Sequence, residues 1–357
     1  MQKKTIIFIL PDLETGGAER IVTTIANSLS REKFVPKIML LRKEGGYLDL
    51  VKDDVEIIDL KIQRIRDSFF PILKEIRKRK PDIVFSGFGE VNAYLSMALP
   101  FFRKTKFIAR ETNVVSQHVI RPEIKFFYRF YNNYDKIICQ SDDMKNDLLS
   151  NFTIKNEKIV KINNPVDFDA IDLKISEGIR PESFNFEYKN VVAIGNLSSR
   201  KGFDNLLQVF ANLKNEKIKL HILGDGRDKD LLLKMKEDLG LVNVHFHGRQ
   251  SNPYQYLKNA DLFILSSRYE GFPNVLLEAG ACGTYALAND CPGGIREIVQ
   301  EKINGEIADI ENSKDFAEKI KKILSENHDS KAIRNSIKSR FSKEIILTNY
   351  ESLLSSL

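Results

Sequence analysis

The chain has 357 residues, 42% hydrophobic and 29% charged, a make-up that excludes a disordered or fibrous protein and leaves room for two cores of roughly 150–180 residues each. Cys139, Cys282 and Cys291 form no CxxC pair and no Cys/His cluster, which excludes a disulfide framework and a structural zinc site and fits buried thiols in a reducing cytosol. The net charge is +6, but residues 1–165 carry 29 Lys+Arg against 21 Asp+Glu and residues 166–357 carry 26 against 28, so the two halves should meet different partners.

Lys3 and Lys4 precede an apolar run, 5–10, that ends at Pro11-Asp12. That run is too short for a signal peptide and reads as a first strand. No stretch approaches the ~20 apolar residues of a spanning helix, so a soluble or peripheral protein is expected. Further strands are expected at 35–41, 56–60, 83–86, 106–110 and 136–140, with amphipathic helices at 18–30, 70–79 and 142–151 between them. Alternation of this kind predicts βαβ units and a parallel, doubly wound sheet. The pattern pauses at 160–165 (VKINNP), where Asn163-Asn164-Pro165 signals a turn, and a polar, irregular stretch is expected up to about Tyr188.

A second series of strands is expected at 191–194, 219–223, 244–247, 262–265, 284–288 and 305–308. Helices are expected at 202–214, 228–239, 253–259, 273–281, 294–300 and 313–326. The prediction is therefore two doubly wound domains, 1–165 and 166–343, with a last helix in 344–357 that packs back on the first. Open α/β sheets take ligands beyond the carboxyl ends of their strands, which would point both sites into a shared cleft.

The segment 267–283 reads SRYEGFPNVLLEAGACG. Gly271 and Pro273 break the preceding strand into a turn, and a helix starts near Asn274. Its first turn would offer unpaired backbone N–H groups and a positive dipole end, suited to a diphosphate. Glu270 lies in the turn and Glu278 one turn into the helix, where carboxylates can accept hydrogen bonds from sugar and ribose hydroxyls. Upstream, Gly195-Asn-Leu-Ser-Ser-Arg-Lys-Gly202 sets Arg200 and Lys201 in a strand–helix loop, where two cations can neutralise a departing diphosphate. Thr15-Gly16-Gly17-Ala18-Glu19-Arg20 follows the first strand, and its glycines let a ligand approach the backbone closely. Gly224-Asp225-Gly226, Gly248-Arg249-Gln250 and Pro292-Gly293-Gly294 also follow expected strands.

Two glutamates separated by seven residues, with Arg-Lys-Gly upstream, resemble retaining glycosyltransferase family 4. The resemblance implies an α/β fold of the GT-B type, two Rossmann-like domains facing across a cleft. It implies that Glu278 binds the ribose of a nucleotide-sugar donor and Glu270 the sugar hydroxyls, while Arg200 and Lys201 stabilise the leaving diphosphate. Backbone at Phe272, Pro273, Asn274, Val275 and Leu276 would cradle the donor, with Gly16, Gly17, Gly195 and the Arg249 loop around it. UDP is the nucleotide preferred by resemblance, with N-acetylgalactosamine or N-acetylglucosamine as the guessed sugar and no metal required.

One departure stands out. Many members carry a histidine in the loop after the strand 106–110, where this chain has Arg110-Glu111-Thr112-Asn113. His118, Glu111 and Asn113 are the candidates on the acceptor side. Asp167-Phe168-Asp169 has the spacing of a metal-binding DxD but falls in the expected linker.

The acceptor must be read from the first half. Phe69–Leu73 beside Lys74, Arg77, Lys78, Arg79 and Lys80, the run 121–131 (RPEIKFFYRFY), and Phe101-Phe102-Arg103-Lys104 mix apolar and basic residues. Such stretches suit an anionic membrane surface or a lipid diphosphate, and equally suit helices with solvated outer faces. The whole chain, with its opening glycine loop and SGFGEVNA at 86–93, resembles bacterial enzymes extending undecaprenyl-diphosphate-linked saccharides. That implies a cytoplasmic enzyme peripheral at the inner face of the cell membrane. Two other readings stay open: a soluble synthase of the glycogen-synthase kind, and a non-catalytic nucleotide-sugar binder. The absence of a strand–GxGxxG–helix fingerprint argues against NAD, and no recognition motif supports a nucleic acid partner.

Overall fold

The computed structural model describes residues 3–14, 16–185 and 187–357. Thr15 of the glycine loop lies outside them. Two units separate along the chain, Met1–Pro165 with Glu344–Leu357, and Val166–Lys343.

The first unit holds β1 (Lys4–Leu10), β2 (Phe34–Leu40), β3 (Glu56–Asp59), β4 (Ile83–Ser86), β5 (Lys106–Arg110), β6 (Lys136–Cys139) and β7 (Ile159–Lys161). They form one parallel sheet in the order β3-β2-β1-β4-β5-β6-β7. The second unit holds β8 (Lys189–Ile194), β9 (Ile218–Leu223), β10 (Val244–Phe246), β11 (Leu262–Leu265), β12 (Ala286–Asn289) and β13 (Gly305–Ala308). Its order is β10-β9-β8-β11-β12-β13, again parallel.

Both sheets read as continuous apolar runs because helices cover both faces. The β4 and β11 strands are buried at every residue. In each sheet the strand order reverses once, between β1 and β4 and between β8 and β11. Loops leaving the carboxyl ends on either side of a reversal diverge to opposite faces and open a crevice there. In the second unit those loops are 195–202 and 266–273, which carry Arg200, Lys201 and Glu270.

The expected strands differ from these by a residue or two, and one strand and two helices, within 159–176 and 330–341, were not foreseen. The pause expected from 160 contains β7, which pairs with β6 from Ile137↔Ile159 to Cys139↔Lys161. Its three residues are too short for a periodicity, and the sheet pairing makes it a strand. The irregular stretch after it contains a helix, Phe168–Ser176, in which Phe168 and Ile171 are buried one turn apart. Asp167 caps that helix, accepting from the Ala170 N–H at 3.2 Å, and pairs with Lys343 at 2.8 Å. The DxD spacing is thus a helix start. A helix at Ser330–Phe341, also unforeseen, seats Ile337 against Gly280, whose small size makes room.

The last helix, Lys343–Ser356, adds Ile346, Tyr350, Leu353 and Leu354 to the apolar cluster on the first sheet that contains Phe8, Phe85, Ile108 and Ile138. Tyr350 is fully buried, its ring 6.2 Å from that of Phe85. Truncating it removes an aromatic ring from a packed layer, and Tyr350→Ala is expected to cost about 3–5 kcal/mol. A urea titration followed by circular dichroism checks this; an unchanged midpoint would mean that the helix contributes nothing to the first unit.

Candidate functional site

In the second unit, β8 runs out at Gly195 and the chain makes a short 3₁₀ turn, Ser199–Lys201, before the helix Phe203–Ala211. Gly202 joins the two at φ +64°, and a Cβ there would fall 2.1 Å from the Ser266 carbonyl oxygen. Only glycine fits both the left-handed backbone and the close approach. The same contact ties the turn to the loop after β11. Ser266 Oγ donates to the Lys201 carbonyl at 2.8 Å, and the Arg268 N–H donates to the Arg200 carbonyl at 2.8 Å. Arg268 adds a fork to Asp204, 2.6 Å at its shorter arm.

This lashing brings Glu270 between the two cations. Arg200 Nη1 meets Glu270 Oε2 at 2.8 Å, and Lys201 Nζ meets Oε1 at 2.5 Å. Ser267 Oγ donates to Oε1 at 2.6 Å. Glu270 is only 5% exposed. Burial pushes its carboxyl up, but Lys201, then Arg200, outweigh it and hold the group at about 2. Ser267 and the lock between Arg268 and Asp204 are the participants that spacing alone did not reveal.

The Glu270 N–H donates to the Pro292 carbonyl at 2.9 Å, and Gly294 N–H to the Gly271 carbonyl at 2.9 Å. A Cβ at Gly293 would lie 2.4 Å from the Glu270 carbonyl oxygen, and one at Gly294 2.1 Å from the Phe272 ring. The helix Asn274–Ala281 begins beyond, with Pro273 at its N-cap and no side chain capping it. Phe272, Pro273 and Leu276 are buried, Asn274 and Val275 half-buried, and Glu278 buried one turn in. On the other side of β8, Gly224 N–H donates to the Gly248 carbonyl at 2.8 Å, so the loops after β9 and β10 close up beside Gly195. Arg249 is exposed in that last loop. The donor-side candidates of the second unit therefore lie on loops at the carboxyl ends of β8, β10 and β11, on one rim of one sheet.

Next to the Arg249 loop lies a cluster that sequence reading missed. His221 Nδ1 and His247 Nε2 are 3.0 Å apart, and His221 Nε2 is 3.1 Å from Asn190 Oδ1. His221 and His245 are register partners on β9 and β10, and their rings stack. Their alternation on adjacent strands was the available signal.

In the first unit, Gly16 precedes the helix Gly17–Ser28, and Glu19 folds back so closely that a Cβ at Gly16 would lie 2.0 Å from its Oε2. Glu111, Asn113 and His118 share the wall of a cavity of about 140 Å³ with Arg121, Val119 and Ile124. The Glu111 carboxylate is already engaged, accepting from Tyr131 at 2.8 Å, Asn92 at 3.2 Å and Tyr128 at 3.4 Å. Burial pushes its carboxyl up from the usual range, and these bonds oppose that. His118 is exposed at the end of the helix Val115–His118. Asn113 and His118 are the more accessible groups, and Glu111 braces the wall behind them.

Residues 15–170 match the family described as Glycosyltransferase Family 4, and residues 176–340 that described as Glycosyl transferases group 1. An N-acetylgalactosamine-N,N'-diacetylbacillosaminyl-diphospho-undecaprenol 4-alpha-N-acetylgalactosaminyltransferase of Campylobacter jejuni is 28% identical over 354 residues, 95% of this chain and 94% of that protein. A lipopolysaccharide core biosynthesis glycosyltransferase, LpsE, of Rhizobium meliloti is 26% identical, with 96% of each chain covered. Among solved structures, Anabaena Alr3699/HepE in complex with UDP and glucose superposes with a TM-score of 0.83 at 20% identity, covering 99% of this chain and 100% of that one. At that identity the likeness establishes the GT-B fold.

The histidine cluster has a pH consequence. Burial, then His247 and His245, push His221 down from the usual 6.5 to about 3. Between those values the unfolded chain binds a proton that the folded chain refuses, so stability is fully present above about pH 6.5 and falls as the pH drops towards 3. The thermal midpoint should therefore decrease from pH 7.5 to pH 5.5, and the decrease should be shallower in His221→Gln. Parallel profiles for the two proteins would exclude His221 as the source.

Proposed function

Because this chain belongs to glycosyltransferase family 4, we propose that it is a retaining transferase moving a hexose or N-acetylhexosamine from a UDP-sugar to a lipid-diphosphate-linked saccharide in bacterial glycan assembly. The second unit takes the donor and the first the acceptor. The observation that carries this reading is the convergence of Arg200 and Lys201 on Glu270 in the loop that leads into the helix Asn274–Ala281. Two fixed cations and a helix N-terminus at the sheet's topological switch point are what a nucleoside diphosphate requires. UDP-N-acetylgalactosamine and UDP-N-acetylglucosamine are the first donors to try, the former because the Campylobacter relative is named for that sugar.

In this reading Glu278 binds the ribose, and the Arg249 loop lies against the base. Glu270 takes the sugar hydroxyls. Arg200 and Lys201 stabilise the charge that develops on the β-phosphate as the bond from C1 to the phosphate oxygen breaks. The acceptor oxygen forms its bond to C1 on that same face, and its proton passes to the departing phosphate oxygen, so configuration is retained. The guanidinium, the ammonium and the helix start supply the positive charge, and no divalent ion is required. Asn113 and His118 offer polar contacts to the acceptor sugar, with Val119 and Ile124 as the apolar side of its cavity.

No helix among the described residues is long and apolar enough to cross a membrane. A lipid-linked acceptor then calls for a peripheral enzyme at the inner membrane face. Phe70, Phe101 and Ile120 of the first unit are 76%, 78% and 78% exposed, too open for core residues. Arg129 lies over the exposed ring of Phe126, and Arg77 over the half-buried Phe102 ring beside Phe101. Exposed apolar side chains with basic neighbours suit an anionic bilayer.

The test is transfer from UDP-, GDP- and ADP-sugars into a bacterial lipid-linked saccharide extract. Arg200→Ala should cut the rate about 10²–10³-fold, on the scale of losing one charge-stabilising donor, while a chelator leaves it intact. An inverted anomer in the product, or transfer only into water-soluble glucans, would overturn the proposal. For the membrane face, Phe101→Ser with Ile120→Ser should reduce sedimentation with phosphatidylglycerol vesicles without changing the fold. Undiminished sedimentation would put the contact elsewhere.

A further inference from the structure

Glu270 occupies the place assigned to a diphosphate. Each of its carboxylate oxygens takes one cation, Arg200 at 2.8 Å and Lys201 at 2.5 Å, and Ser267 fastens the second oxygen at 2.6 Å. The Lys201 and Glu270 side chains are 11% and 7% exposed, so solvent screens this pair little. A buried carboxylate deprived of partners would bear a large desolvation penalty, and one that keeps them occupies the groups a phosphate needs.

From this geometry we infer that Glu270 competes with phosphate for Arg200 and Lys201, and that only a donor still carrying its sugar draws it away. The site then holds the intact nucleotide sugar in preference to the spent nucleoside diphosphate. The inference rests on the donor reading of the second unit and goes beyond it by giving one residue control of product release. With a sugar present, its hydroxyls donate to the Glu270 carboxylate and replace the bonds from the cations, which pass to the diphosphate. Once the sugar has left, the carboxylate's donors among the described residues are Arg200, Lys201 and Ser267. Its return to them loosens the remaining phosphates. No bond is made or broken in this exchange. While Lys201 and Arg200 engage it they outweigh burial and hold the carboxyl at about 2, so the resting group is an ionised competitor.

The experiment is calorimetric titration of the full chain with UDP, inorganic pyrophosphate and UDP-N-acetylgalactosamine, in wild type, Glu270→Gln and Ser267→Ala. Glu270→Gln keeps the shape and removes the competing charge. UDP and pyrophosphate should bind it about five-fold tighter or more, roughly 1 kcal/mol, while the UDP-sugar gains nothing. Ser267→Ala keeps the charge and loses only the fastening, so the same shift should appear at about two-fold. That variant decides the matter if Glu270→Gln does not fold. Unchanged or weakened UDP binding in Glu270→Gln, or in Ser267→Ala if it stands alone, overturns the inference and leaves the donor reading intact. A folded wild type that binds neither UDP nor the UDP-sugar removes the donor reading and this inference with it.

Discussion

The Glu270 carboxylate and its two cations are the interaction on which the second unit's site depends. None of the three could be buried alone without a large penalty, and together they neutralise most of their charge. Their pairing joins the loop after β8 to the loop after β11, the two that flank the reversal of strand order. A hydroxyl bond from Ser266 and a backbone N–H bond from Arg268 reinforce the join. The crevice between diverging loops is thereby held in one shape before any ligand arrives. Fixed groups of that kind stabilise developing charge without reorganising at the moment of reaction.

The glycines around the site follow from the same constraint. Gly224 lies so near the Gly195 carbonyl oxygen that a Cβ would sit 1.9 Å from it, and Gly293 crowds the Glu270 backbone in the same way. Loops leaving adjacent parallel strands start side by side, about 4.8 Å apart, with no room for side chains between their backbones. Glycine is therefore needed for close approach here, as much as for backbone rotation. This also explains the glycines at 202, 224 and 293, after β8, β9 and β12, whereas Gly248 after β10 has open space around it and is set by its φ of +66°.

Legibility in the sequence followed the strength of the physical signal. Strands such as β1, β4 and β11 announced themselves because a buried parallel strand must be apolar throughout. β7 did not, because Ile159–Lys161 has too few residues to show a period. The helix Phe168–Ser176 hid behind its own capping aspartate, which resembled a metal motif until Ala170 N–H and Lys343 were found to occupy it. Glu270, Arg200 and Lys201 were legible as separate motifs because each follows a strand and adjoins a glycine. Their direct pairing was not, since it depends on β8 and β11 being neighbours although about 70 residues apart in the chain, a loop separation whose ordering no local pattern encodes. Glu111 was legible as a candidate, but its engagement by Tyr131, Asn92 and Tyr128 arises from packing alone.

Net charge misleads about where an anion belongs in this protein. The half with an excess of eight positive charges contains many lysines and arginines that are already paired, as Arg79 is with Glu75 and Glu56, and Lys37 with Glu56. Those pairs lie half-exposed at the surface and neutralise one another, so they contribute little to a specific anion site. The half carrying the diphosphate site in our reading has a net charge of −2. In that reading its two cations act because partial burial weakens the screening, and because their counter-ion can turn to the ligand's hydroxyls. A strong anion site needs few charges in a dry, pre-shaped place, and a counter-ion that can be persuaded to leave.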